Sequence, residues 1–217
     1  LGRRSCRIGA IDLFNPVYGA ATTCPSGYSA DAPEKLSVVG LYAQDQIKFN
    51  PEWTALFGLR RDWSNNTIDD HLAPQKTKQK DSATTLSAGV VYEFVPGWAA
   101  YASYGESFLP VAGTSFSGTP FVPETGKQWE TGLKYEAPER GFTGSLALFD
   151  LRRRNVTTAD PVNATYSVQT GEQRARGLEL EAGAELNRRW KITGAYTYTD
   201  TEVTRDNNAS IVGKPLN

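Results

Sequence analysis

Residues Gly177–Leu186 read GLELEAGAEL. Leu178, Leu180, Ala182, Ala184 and Leu186 recur at every second position, and Gly177, Glu179, Glu181, Gly183 and Glu185 lie between them. A period of two marks a strand, whose successive side chains point to opposite faces. The run ends in the polar Asn187-Arg188-Arg189, and at Trp190 another alternating run begins. The same junction occurs at Asn50-Pro51-Glu52 before Trp53, at Pro96-Gly97 before Trp98, and at Pro138-Glu139-Arg140-Gly141 before Phe142. Tight turns followed by an aromatic residue therefore alternate with longer polar connections, which is the rhythm of a membrane β-barrel.

On the same criterion, eight strands are expected at about 37–50, 53–65, 83–95, 98–108, 127–137, 142–155, 167–186 and 190–204. Trp129, Thr131, Leu133 and Tyr135 oppose Gln128, Glu130, Gly132, Lys134 and Glu136; Leu86, Ala88, Val90, Tyr92 and Phe94 oppose Ser87, Gly89 and Glu93. A soluble β-sandwich also alternates, but its strands average about 5–6 residues, whereas these match or exceed the ~9–11 that cross a bilayer at a tilt. The sixth run, FTGSLALFDLRRRN, is ambiguous, with Leu146 and Leu148 on one face and Ala147, Phe149 and Leu151 on the other. Its Arg152, Arg153 and Arg154 belong at or above the outer headgroups, because an Arg facing lipid at mid-bilayer costs about 2–4 kcal/mol.

Composition narrows the class. Hydrophobic residues make up 39% of the 217, the net charge is −1, and mean hydropathy is −0.45. Near-neutral charge gives no reason to expect a nucleic-acid partner. No run approaches the ~18 apolar residues of a spanning helix, while barrel strands alternate and average out as mildly polar. The first 36 residues, with LFNPVYG, TTCPSGY and ADAPEK, have turn chemistry without periodicity.

In chain order, GLYAQDQIKF, LFGLRRDW, YASYGESFLP, GKQWETGLKYE, GEQRARGLELEA and GAYTYTDTEVT resemble the TonB-dependent ferric-siderophore receptors, above all the ferrichrome and hydroxamate branch. The resemblance spans residues 37–217, and IDLFNPVYG is similar to the loop that leads into this region. It implies an all-β fold, an antiparallel transmembrane β-barrel segment of about eight strands from a 22-stranded barrel. Residues 1–36 would be an extracellular loop region and 37–217 a partial barrel, with the plug domain and the C-terminal strands outside the sequence. The implied protein lies in the outer membrane of a Gram-negative bacterium, among outer-membrane lipid. It binds a ferric siderophore and draws on the TonB complex through the plug. It is not an enzyme, and it holds no intrinsic cofactor, the iron coming with the cargo. The alternative is a passive barrel, either a porin-like channel or a small structural barrel.

Candidate sites follow from residue type. His71 is the single histidine, in the polar loop TIDDHLAPQKTKQK, so neither a His-rich metal site nor a Ser/His/Asp triad is available. Glu179 and Glu181 share the polar face of their strand and read as lumen-lining charge. Arg174 and Arg176 share a face with Glu172 and read as members of a lumen ion-pair network with the plug. An extracellular pocket of aromatic and polar side chains is what the resemblance implies, and within the loops Phe14, Tyr18, Phe116 and Phe121 are the candidate ligand contacts. Trp63, Phe108 and Tyr166 lie in or beside loops as well. Cys6 and Cys24 form either a local disulfide or two free thiols, and an oxidising compartment favours the disulfide.

Overall fold

A computed structural model describes residues 32–72, 75–137, 139, 141–163, 165–187 and 189–216. Eight strands follow one another: β1 (Glu34–Lys48), β2 (Trp53–Asp70), β3 (Gln75–Val95), β4 (Trp98–Leu109), β5 (Glu124–Ala137), β6 (Phe142–Ala159), β7 (Ser167–Asn187) and β8 (Trp190–Arg205). They form one sheet in sequence order, with antiparallel register throughout β3 to β8. All eight expected strands are present. The main difference is at TIDDHLAPQKTKQK, expected as a loop, where β2 runs on to Asp70 and β3 starts at Gln75. That segment is polar along most of its length, so the alternation that reveals a strand in sequence is missing there.

The chain packs as two compact units. Of the described residues, the smaller holds 32–38, 64–72 and 75–80. Within it the Asp69 amide donates to the Pro33 carbonyl at 3.1 Å, the Asn66 side-chain amide donates to Glu34 at 2.7 Å, and Lys76 pairs with Asp69 at 3.1 Å. Asn66 is buried, and its Oδ1 has no hydrogen-bond partner among the described residues.

The larger unit comprises Val39–Trp63 and Asp81–Asn217. Its short turns explain themselves locally. Asn50 Oδ1 accepts the amides of Glu52 and Trp53 at 3.0 and 2.7 Å, and Asn187 Oδ1 accepts those of Arg189 and Trp190 at 2.9 and 3.1 Å. In both, the asparagine side chain stands in for a backbone turn and delivers the tryptophan that opens the next strand.

Register resolves the faces. Leu133 is the partner of Leu146 and Thr131 of Leu148; Leu146 and Leu148 meet Leu180 and Leu178, which meet Tyr196 and Tyr198. One apolar face therefore runs from β5 through β8, and the leucines of β6 belong to it. Ala147, Phe149 and Leu151 look the other way, opposite Gly132, Glu130 and Gln128. Phe149 is there because Gly177 leaves it room: a Cβ at Gly177 would lie 2.8 Å from the Phe149 ring and collide with the Tyr198 carbonyl. Tyr101 covers Gly132 in the same manner, so bare glycine backbone is shielded by a neighbouring ring.

Aromatic pairs mark both ends of the apolar band on β4 and β5. Trp98 meets Tyr135 near the short turn, centroids 4.6 Å apart, and Tyr104 meets Trp129 toward the long connection at 4.7 Å. Beyond them the same face turns charged. Lys127 pairs with Glu106 at 3.1 Å, Arg174 and Arg152 converge on Asp150, and Arg176 pairs with Asp200 at 2.9 Å. Arg174 and Arg176, expected in an ion-pair network with the plug, pair within this sheet with Asp150 and Asp200. No bulge separates them from Leu178 in the pairing with β6, so alternation puts them on the leucine face, at its charged margin. The charged border is not level: Asp150 is the register partner of Trp129, so the band ends earlier on β6 than on β5.

Candidate functional site

The functional candidates gather where the strands end in long connections. Residues 110–123, between β4 and β5, fold back on themselves: Thr114 and Pro120 form a bridge, the Ser115 amide donates to Thr119 at 2.9 Å, and the Phe121 amide donates to Gly113 at 3.0 Å. Gly113 has a φ of +109°, a conformation that any side chain would strain. The space it leaves is occupied by the Phe121 ring, which would lie 3.3 Å from a Cβ at that position. Phe121 is consequently buried and acts as the anchor of this small hairpin.

Phe116 is at the tip, 59% exposed. Its ring stands edge-to-face against Tyr166, with centroids 5.1 Å apart and planes at 80°. Tyr166 comes from the connection between β6 and β7, which is shaped by Asp160. That carboxylate accepts the amides of Val162 and Asn163 at 2.8 and 3.0 Å, and the Asp160 amide donates to the Tyr166 carbonyl at 3.0 Å. The Asn163 amide, with that of Val162, holds the Asp160 carboxyl below its ordinary range. Ser115, Ser117 and Thr119 add a chain of hydroxyls beside Phe116, spaced 2.8 and 3.0 Å.

A recess of about 470 Å³ lies at the long-connection ends of β6 to β8, and its lining includes Arg205, Asp206, Asn207, Asn208 and Lys214. Residues 213–216 fold back along β8 there: the Gly213 amide donates to Val203 at 2.8 Å, the Val203 amide to Lys214 at 2.9 Å, and the Leu216 amide to Thr201 Oγ1 at 3.0 Å.

Among the described residues no cluster of His, Cys, Asp or Glu is placed to hold a metal ion. What the arrangement offers is a pair of exposed rings, a row of hydroxyls and a polar recess of mixed charge. Of the residues expected at a site, Phe116 is brought to Tyr166 and Phe121 is placed underneath. Phe14, Tyr18, Cys6 and Cys24 lie outside the described residues. Tyr166 was legible as a loop aromatic, but its pairing depends on two connections about fifty residues apart in sequence, and local pattern carries no trace of it.

Comparison with known proteins agrees with this architecture. Residues 3–217 match the model of the family described as TonB dependent receptor-like, beta-barrel. The metal-pseudopaline receptor CntO of Pseudomonas aeruginosa, strain UCBPP-PA14, is 34% identical over 214 residues, covering 96% of this chain and 30% of that protein. The ferrichrome outer membrane transporter/phage receptor of Escherichia coli K12 is 36% identical over 201 residues, covering 90% and 27%. Among solved structures, the siderophore receptor PiuA from Acinetobacter baumannii superposes with a TM-score of 0.74 at 23% identity, over 93% of this chain and 30% of that one. The chain thus spans about 30% of the length of these relatives.

Proposed function

The chain belongs to the TonB-dependent receptor family, within its β-barrel, and on that premise we propose that it forms part of a receptor that captures ferric siderophores and imports them with energy from TonB. Family membership removes the passive porin-like reading and places the strands in the outer membrane of a Gram-negative bacterium. There the leucine face of β5 to β8 meets lipid, the face of Glu130, Glu179 and Glu181 meets the lumen, and the long connections are extracellular.

The observation that carries the cargo reading is the Phe116–Tyr166 pair, held on two extracellular loops with its rings exposed. An iron already wrapped in the siderophore's own oxygen donors needs aromatic surface and hydrogen bonds from its receptor, not metal ligands. The loops supply both, so we assign no resident cofactor, and iron enters as cargo. TonB would act through the plug domain of such receptors, whereas residues 3–217 of this chain match the barrel.

The test is binding of ferric hydroxamate and ferric catecholate siderophores to the intact receptor in detergent, followed by tryptophan fluorescence quenching. One chelate class is expected to quench selectively at submicromolar concentration, and Phe116→Ala to weaken that binding about tenfold, the ~1.4 kcal/mol of a buried aromatic contact. A folded receptor that responds to no chelate in either class would overturn the reading.

A further inference from the structure

Asn155 is the one non-glycine residue with positive φ among those described, at 59°. It falls where the β6–β7 register shifts, between Arg153 and Val156, so the strand bulges there. Asparagine accepts this conformation more readily than other side chains, and here the bulge has a use. Asn155 Nδ2 donates to the Pro123 carbonyl at 2.9 Å, and its own carbonyl accepts Gln169 Nε2 at 3.0 Å. Gln169, near the start of β7, reaches the same segment from the other side. Its Oε1 accepts the Val122 amide at 2.6 Å, and its Nε2 donates to the Val122 carbonyl at 2.5 Å.

One glutamine side chain thus satisfies both backbone groups of Val122, as a neighbouring strand would. Val122 and Pro123 are the residues that carry the chain out of the Phe116 hairpin into β5, directly after the buried Phe121. Gln169 is three residues beyond Tyr166. The brace therefore ties the exit of one aromatic loop to the strand that begins at the other.

We propose that Gln169, with Asn155, is a positioning residue for cargo binding: it locks the β4–β5 loop onto β6 and β7, so that Phe116 stands against Tyr166 before the cargo arrives. This rests on the reading of that aromatic pair as the cargo contact. Pre-ordering a loop raises affinity by removing the entropy cost of ordering it on binding.

A double-mutant cycle in the intact receptor tests it, with the ferric siderophore that quenches the wild type as probe and hydrogen exchange at the Val122 amide as a second readout. Gln169→Ala is expected to weaken binding about tenfold in the wild-type background but less than about twofold when Phe116 is already Ala, because the brace acts through that ring. Val122 exchange should quicken in both backgrounds. Asn155→Gly keeps the left-handed backbone and removes only the Pro123 donor, and should give the same coupled loss to a smaller degree. Wild-type affinity in Gln169→Ala despite quickened exchange at Val122 would overturn the proposal, as would an equal loss in both backgrounds. If Phe116→Ala leaves the affinity of a binding-competent receptor unchanged, the cargo reading of the pair fails first and the brace loses its role with it.

Discussion

Asp150 of β6 and Arg174 of β7 form an ion pair on the same face as Leu148 and Leu178, and Arg152 shares the carboxylate from 3.3 Å. Two guanidinium groups at the border of the apolar band share this one carboxylate. Asp150→Ala is therefore expected to destabilise the barrel by about 2 kcal/mol, since it removes the carboxylate that two adjacent guanidinium groups share. Replacing both partners, as Asp150→Leu with Arg174→Leu, should cost less than Asp150→Ala alone. Urea unfolding from lipid vesicles measures both, and an undisturbed Asp150→Ala variant would refute the dependence.

Tyr166 is expected to act through its ring and not its hydroxyl, because its defining contact is edge-to-face with Phe116. Tyr166→Phe should bind the ferric siderophore like the wild type, while Tyr166→Ala loses about tenfold, a loss that should not add to that of Phe116→Ala. Fluorescence titration of the three variants decides it.

The turn at Asp160 has a defined pH response. Its carboxyl is held low by the amides of Asn163 and Val162, so the stabilisation is complete above the ordinary aspartate value of about 3.9 and disappears as pH falls through the lower folded value. Protection of the Val162 and Asn163 amides from exchange should be constant from pH 7 down to about pH 5 and collapse only in stronger acid. Asp160→Ala should lack that protection at every pH, and Asp160→Asn, which keeps an acceptor oxygen, should retain part of it.

Gly177 is expected to tolerate no side chain. A Cβ there meets the Phe149 ring and the Tyr198 carbonyl together, and although a ring can swing aside, a ladder carbonyl cannot without breaking the β7–β8 pairing. Gly177→Ala should lower stability by about 1–3 kcal/mol, and adding Phe149→Ala should fail to restore it. Full recovery in the double variant would show that the ring alone sets the limit.

Much of the fold was legible because bilayer physics writes itself into sequence: alternation gave the strands, and Asn50 and Asn187 announced their turns. What stayed hidden needed pairing information. FTGSLALF is apolar on both sides, and only register with Leu133 and Leu180 assigns Leu146 to the leucine face while Phe149 shields Gly177. Arg174 and Arg176 could have been placed by counting back from Leu178, but charge taken alone argues for the lumen. The site was the least legible part. Phe121 and Phe116 look equivalent in sequence, yet the φ of Gly113 puts one ring beneath the loop and leaves the other at its tip. Gln169 carried no signal, because its partners at Val122 are main-chain groups 47 residues away.

That Trp129 and Asp150 are register partners while standing on opposite sides of the apolar border has a geometric consequence. The rungs of this ladder are not contours of depth. With strands inclined about 35–45°, each sideways step of some 4.8 Å changes immersion by roughly 3 Å, so the residue level with Trp129 in the bilayer is not the one bonded beside it. Depth-dependent effects, from the cost of a charge to quenching by lipid-borne probes, should therefore sort along a slanted line across the sheet, and that slant measures the tilt of the strands.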